Sequence, residues 1–275
     1  MTLNLPKTDV QAYLYYPDHN RIYNKLKLFE YQNVRAFPLP IIPKKYPVVI
    51  KPIINLCGMG LNSKKINNYK QLKPYLRSNL FWCEYLEGSH YSWDFIIRDG
   101  KIIYYVVFEG IKKTFGTFKY WQLLHNITIP KIIIEYIEDY LNDYTGSLNI
   151  ETINYIMIEA HLRSGDIKYI KNIENIENIN NNSNLNSNLY LVPVWMKKDL
   201  IKDKKDMKKI LKIINKEIVP ELDKYIQSSK LIDYEITSID HPEPDKYKRL
   251  LLLVGNDLKF LNKLKNKYSK ICKLD

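Results

Sequence analysis

The pair Asp99-Gly100 lies between two strand-sized runs, Tyr91–Arg98 and Lys101–Phe108, and constrains the chain more than any other feature. An Asp-Gly link favours the backbone angles that reverse a twisted strand, so the two runs are predicted to pair as an antiparallel hairpin. Leu80–Leu86 has the same β-like character, and Ser147–Ile153 with Tyr155–Ala160 supplies a further strand pair. YPVVIKP gives a short strand ending at Lys51, and Leu250–Val254 reads as a buried strand. Helical spacing groups Ile133, Tyr136, Ile137, Tyr140 and Leu141 within Ile129–Tyr144, with Gly146 just past its end. Met207, Ile210, Leu211, Ile214 and Ile218 form a second stripe, stopped by Pro220, and Leu258, Leu261, Leu264 and Tyr268 mark a last helix. Shorter helices are predicted over Ile22–Tyr31 and Ile66–Lys73, the latter closed by Pro74, while prolines make Phe37–Tyr46 an extended connection. Nothing repeats at a solenoid period. The fold class is α+β, with antiparallel sheets dominant in the middle of the chain.

Composition narrows the function classes. Of 275 residues, 45% are hydrophobic and 26% charged, which suits a buried core and excludes wholesale disorder. No run approaches the roughly 18 uncharged apolar residues of a spanning helix, so no membrane partner is expected. The opening MTLNLPKTD lacks the basic-then-apolar layout of a secretory signal, which predicts a cytoplasmic protein. Cys57, Cys83 and Cys272 are widely spaced and odd in number, fitting a reducing compartment and making neither a disulfide framework nor a zinc site. The net charge of +12 points towards nucleic acid, but the chain is also rich in Asn, Ile and Tyr and holds only three alanines. AT-rich codons produce that profile, so the lysine excess is weak evidence for a phosphate-binding face. Asn172–Asn188 is an Asn/Ser/Ile-Glu repetition with no usable core and reads as a loop insertion.

Four patches carry chemistry, and their order matters more than any one of them. Lys51 ends a strand, where a lysine can reach a phosphate or stand solvated. Gly58-Met59-Gly60 can close backbone N–H groups on phosphate oxygens, or form an ordinary turn. WCEYLEGSHYSWDF (Trp82–Phe95) runs from strand through a short crossing segment to a glycine turn and a second strand reaching Asp94. Such a segment can read an adenine edge with backbone groups, or be a hairpin with a charged turn. In LNIETINYIMIEAHLRSGD (Leu148–Asp166), two strands can place Glu151 near Glu159, and period-2 alternation points Glu159, His161 and Arg163 to one face. Converging carboxylates repel unless a cation joins them, and oxygen ligands suit Mg²⁺ that bridges nucleotide phosphates. Arg163 beside them can hold an anion or charge developing on a transferred phosphoryl group. The alternative is a solvent-facing edge of mixed charge.

YNKLKLFEYQNVRAFPLP, YPVVIKP, CGMG, WCEYLEGSHYSWD, TGSLNIET and MIEAHLRSGD follow one another over Tyr23–Asp166. Taken together, they resemble the ATP-grasp superfamily of carboxylate–amine and carboxylate–thiol ligases. The resemblance implies two α+β subdomains whose antiparallel sheets enclose a nucleotide cleft. It divides the chain into an N-terminal segment and linker (1–45), a small subdomain (46–110) and a large subdomain (111–275) with a low-complexity insertion at about 171–188. It implies ATP and Mg²⁺ as cofactors, with Mn²⁺ as the alternative ion. Lys25 and Lys51 would contact phosphates, Gly58 and Gly60 would sit in the closing loop, and Cys83, Glu84, Tyr85 and Leu86 would form the adenine hinge. Glu151 and Glu159 would bind the metal, and Arg163 would steady the acyl-phosphate or the acceptor's carboxylate.

Departures from the family pattern stand beside these matches. His161 replaces an asparagine at the metal site, and imidazole is a poorer Mg²⁺ ligand than an amide oxygen. His90 stands where the family often has the ribose-binding glutamate, and Cys83 replaces the upstream hinge acid. The family usually begins with a whole Rossmann-like domain, and here only a short segment precedes Lys25. The expected function is ATP-dependent activation of an unidentified carboxylate for attack by an amine or similar nucleophile. The rivals are a catalytically degenerate nucleotide-binding or interaction protein and, more weakly, a nucleic-acid binder using the lysine-rich C-terminal helices.

Overall fold

A computed structural model describes residues 6, 8–56, 62–77, 79–114, 117–165, 188–197, 201, 204–237 and 247–271. The chain divides into two compact units, one of residues 1–109 and 124–182 and the other of 110–123 and 183–275. It is α+β throughout, with every recorded strand pair antiparallel. Among the described residues no helix is long and apolar enough to cross a membrane.

The first unit opens with α1 (Asp9–Tyr15), a 3₁₀ segment (Pro17–Tyr23) and α2 (Lys25–Tyr31). Asn24 starts α2 because its side-chain oxygen accepts from the Lys27 N–H at 3.1 Å. Strands β1 (Ala36–Pro38), β2 (Val48–Pro52), β3 (Lys64–Ile66) and β4 (Leu80–Glu84) form one sheet in the order β1-β4-β2-β3, and α3 (Tyr69–Leu72) lies between β3 and β4 in the chain. The helix expected over Ile66–Lys73 is therefore shorter: Ile66 closes a strand opposite Val48, and Pro74 sits in a 3₁₀ turn after α3. Phe37–Tyr46 is extended only at its start, and turns with cis bonds before Pro40 and Pro47 follow.

The second sheet of this unit uses β5 (His90–Arg98), β6 (Lys101–Thr114), β8 (Gly146–Ile153) and β9 (Ile156–His161), in the order β6-β5-β8-β9. Asp99 and Gly100 have φ of 50° and 72°, the left-handed geometry the hairpin requires. A Cβ on Gly100 would stand 2.2 Å from the Asn142 carbonyl oxygen, so only glycine fits. Strand β6 runs past Phe108 because Gly110 leaves room for Phe118 and Trp121, side chains that lie 2.6–2.8 Å from where its Cβ would be. The chain passes between the units within β6 and again within β7 (Thr117–Leu124), a strand that sequence spacing did not reveal. Helix α4 (Lys131–Tyr140) is shorter than expected: Leu141 caps it and Gly146 instead opens β8. Ile133, Tyr136 and Ile137 of α4 pack with Trp93, Phe95, Leu148 and Ile150 into the main core of this unit. Leu26 and Phe29 of α2 pack with Val49, Phe81, Cys83 and Ile158, so α2 joins the first sheet to β9.

In the second unit β7, β10 (Tyr190–Lys197), β12 (Tyr247–Gly255) and β11 (Asp233–Ile236) pair in that order. Helices α5 (Lys204–Ile213), α6 (Val219–Gln227) and α7 (Leu258–Ile271) contribute Ile210, Leu222, Leu261, Leu264 and Tyr268 to a core with Val192, Val194, Leu250, Leu251 and Leu253. Pro220 does not stop the helical path as expected. A π turn over Ile214–Ile218 precedes it, with the Val219 N–H donating to the Ile214 carbonyl. Proline lacks an N–H and crowds the carbonyl four residues back, and the wider turn absorbs both faults. The expected insertion lies outside the described residues up to 187.

Candidate functional site

The site is built on the β8–β9 hairpin. Glu151 and Glu159 are register partners across it, with a bulge between Glu151 and Thr152. Glu159 is buried, and its carboxylate meets the Lys25 ammonium. Lys25 is the first residue of α2, is itself buried, and donates its N–H to the Ile53 carbonyl at 2.9 Å. His161 follows Glu159 by two on β9 and brings Nε2 to 3.6 Å from Glu159 Oε1. His90 opens β5 and places Nε2 2.9 Å from Glu151 Oε2. The alternation read from the sequence thus meets in space for Glu159 and His161, while Arg163 lies beyond the end of β9.

Electrostatics tie these groups together. Burial pushes the Glu159 carboxyl up, but Lys25, His161 and Lys51 outweigh it and lower it from 4.5 to about 2. Lys51, on β2, is half-buried with Nζ 5.7 Å from the centre of the Phe29 ring. Burial lowers its pKa, and Lys25 adds repulsion in the same direction. Lys25 and Lys51 thus both act on the buried Glu159 carboxylate, and each lysine disfavours the other's charge.

Two groups that sequence reasoning passed over complete the arrangement. Asp9, in the first turn of α1, is 3% exposed. Its Oδ1 lies 2.9 Å from His161 Nδ1, its Oδ2 accepts from Arg163 Nη2 at 2.8 Å, and the Tyr23 hydroxyl donates to Oδ1 at 3.4 Å. Burial raises the Asp9 carboxyl, and His161 and Arg163 together drive it well below the usual carboxylate range. Asp94, fully buried on β5, accepts from Asn149 Nδ2 at 3.1 Å and from the Gly165 N–H, which fixes the segment leaving β9. The one signal for Asp9 was Thr8-Asp9 as a helix start, a capping residue followed by an acid. No local spacing links it to residues 152 and 154 positions later.

The remaining predicted residues fall in different places. Gly58 and Gly60 lie outside the described residues. Cys83 is an interior residue of β4, registered with Ala36 and Val49; its thiol lies 3.7 Å from the Val49 carbonyl, and burial pushes it up to about 11. Glu84 ends β4 and stands 3.7 Å from Arg35. Tyr85 and Leu86 occupy the irregular link to β5, with Lys65 Nζ 3.7 Å from the Tyr85 ring centre. Among the described residues no three His, Cys, Asp or Glu side chains converge as a metal cage. Of the expected trio, His161 Nε2 lies 3.6 Å from Glu159 Oε1 while Asp9 lies against His161 Nδ1, Lys25 against Glu159 and His90 against Glu151.

Neither a family model nor a curated protein matches the chain. Solved structures do. An L-amino acid ligase from Bacillus licheniformis superposes with a TM-score of 0.54 at 11% identity, covering 98% of this chain and 74% of that one. A carboxyaminoimidazole ribonucleotide synthase from Aspergillus clavatus, solved with ATP, gives 0.55 at 8% identity over 92% of this chain and 73% of its own. An N5-carboxyaminoimidazole synthetase from Staphylococcus aureus gives 0.55 at 12% identity, over 90% and 71%. The fold is the ATP-grasp fold, as the ordered motifs implied.

Proposed function

We propose that this chain is an ATP- and Mg²⁺-dependent ligase of the cytoplasm that activates a carboxylate as an acyl-phosphate for attack by an amine or similar nucleophile. The observation that carries the reading is the buried charge cluster on the β8–β9 hairpin, in a fold shared with such ligases. Lys25, Lys51 and Arg163 stand against Asp9, Glu151 and Glu159, three cations against three carboxylates. Carboxylates already stand against these cations, so an incoming triphosphate is expected to bring its own counter-ion. Glu151 and Glu159 fit that ion, since Mg²⁺ takes one or two carboxylates together with phosphate oxygens rather than a full protein cage. When bound, the ion neutralises phosphate charge and orients the transferring group.

The chain's own residues do the rest. Lys25, released from Glu159, turns its ammonium to the phosphates alongside Lys51. Arg163, paired with Asp9 and more exposed than it, would meet charge that develops on the transferred phosphoryl group. Tyr85 and Leu86 offer the adenine hinge, and His90 orients Glu151. His161, with Nε2 facing Glu159, is the third residue proposed for the metal site. The carboxylate substrate is first sought among amino acids, which one structural neighbour joins.

The test is ADP release from ATP and Mg²⁺ with a mixture of the standard amino acids. Wild type is expected to release ADP in their presence and Lys51→Met to lose it. Nucleotide binding without any ADP release would replace this reading with the degenerate nucleotide-binding one.

A further inference from the structure

We propose that Asp9 is a positioning residue of this site, whose carboxylate sets both the Arg163 guanidinium and the His161 ring; the inference rests on the ligase reading above. Strand β9 ends at His161, so Arg163 lies past the ladder, and its Nη1 donates to the neighbouring Ser164 carbonyl at 3.0 Å. Asp9 reaches across 154 positions of sequence to accept from Arg163 Nη2 at 2.8 Å. The same carboxylate faces His161 Nδ1 at 2.9 Å. An ionised carboxylate accepts only, so Nδ1 carries the proton and Nε2 is turned to Glu159, 3.6 Å away.

The anchor behind Asp9 is firm. Thr8 caps α1 by accepting from the Gln11 N–H at 3.2 Å, and Ala12, one turn on from Asp9, is fully buried in the main core with Tyr23. Tyr23 in turn donates to Asp9 and accepts from the Leu162 N–H at 3.2 Å, so the 3₁₀ segment holds the backbone just before Arg163 as well. A carboxylate buried to 3% exposure in a packed helix is a fixed part of the site rather than a strap that comes and goes. Its geometric consequence is a guanidinium placed before substrate arrives, which matters because small misplacements of a phosphoryl-contacting group are costly in rate.

The experiment is Asp9→Asn, which keeps the size of the side chain and removes its charge. In wild type, long-range ¹⁵N–¹H spectra should show His161 protonated at Nδ1 with a strongly downfield proton, assigned by its loss in His161→Gln. In Asp9→Asn that signature is expected to vanish while the amide spectrum stays dispersed. ADP release should fall about a hundredfold, with affinity for a non-hydrolysable ATP analogue within about threefold of wild type. An unchanged imidazole signature, or ADP release equal to or above wild type, would overturn the proposal. If Asp9→Asn does not fold, the wild-type spectrum decides: a downfield proton on His161 Nδ1 supports the proposal, and its absence, or protonation at Nε2 alone, overturns it. A wild type that releases no ADP sinks the ligase reading alone, and the spectrum still decides whether Asp9 sets His161.

Discussion

The β8–β9 hairpin of the first unit and the β10–β12 pair of the second share a plan and differ in what they bury: β12 keeps its buried charges, Lys248 and Arg249, to one end, whereas β8–β9 sets polar and charged side chains among its apolar ones. Each is antiparallel with helices packed against it. From Leu250 to Val254 every side chain of β12 is aliphatic and buried, as a strand covered on both faces should be. Across β8 and β9, Asn149, Thr152, Glu159 and His161 are buried as well. Burying a charge is unfavourable unless partners compensate it, and a well-packed apolar set is at least as stabilising. The aliphatic strand thus explains itself through the core, whereas the charged hairpin calls for a reason beyond stability. That contrast is the ground on which the proposed function is sought in the first unit.

Substitutions can break the contrast. Glu159→Ala leaves Lys25 buried without its carboxylate and should cost ~3–5 kcal/mol in urea unfolding. Glu159→Gln should cost less and still abolish ADP release. Should Glu159→Ala unfold like wild type, Lys25 and Glu159 are not the buried pair described. Leu253→Ala opens a cavity in the second unit and should cost ~2–5 kcal/mol. Its folded fraction should bind nucleotide as wild type does, and weakened binding would show that the contrast between the units is drawn wrongly.

Acid sharpens the comparison further. Asp9 and Glu159 have folded pKa values below their ordinary 3.8 and 4.5, Glu159 at about 2. The unfolded chain therefore binds more protons in this window, so stability is fully present above about pH 4.5 and is lost as pH falls towards 2. Asp9→Asn/Glu159→Gln should be less stable at neutral pH and flatter below pH 4.5 in the same unfolding measurement. Parallel curves for the two proteins would mean the carboxylates are not held ionised. A small effect is expected at His90→Ala, since Glu151 is 29% exposed and water replaces its partner; the stability change should stay within about 1 kcal/mol.

Legibility followed the range of the interactions. Asp99-Gly100 and the pairing of Glu151 with Glu159 rest on neighbours in sequence, and alternation alone reveals them. Asp9, Tyr23 and Asp94 act on residues dozens to more than a hundred positions away, so their roles appear only once the chain is folded. Strand β7 escaped because its mixed TFKYWQLL run has no clean period. Pro220 misled because the π turn that accommodates it leaves the apolar stripe unchanged. Cys83 fits a family hinge position in sequence, and its register with Val49, 34 positions away, appears only in the folded chain.

The most direct test of the buried charge cluster as a nucleotide site is isothermal titration with a non-hydrolysable ATP analogue, with and without Mg²⁺. Wild type should be run beside the Glu151→Gln/Glu159→Gln variant. The account predicts micromolar binding that requires Mg²⁺ and disappears in the variant. Absence of binding with or without Mg²⁺, or equal binding by the variant, would contradict it.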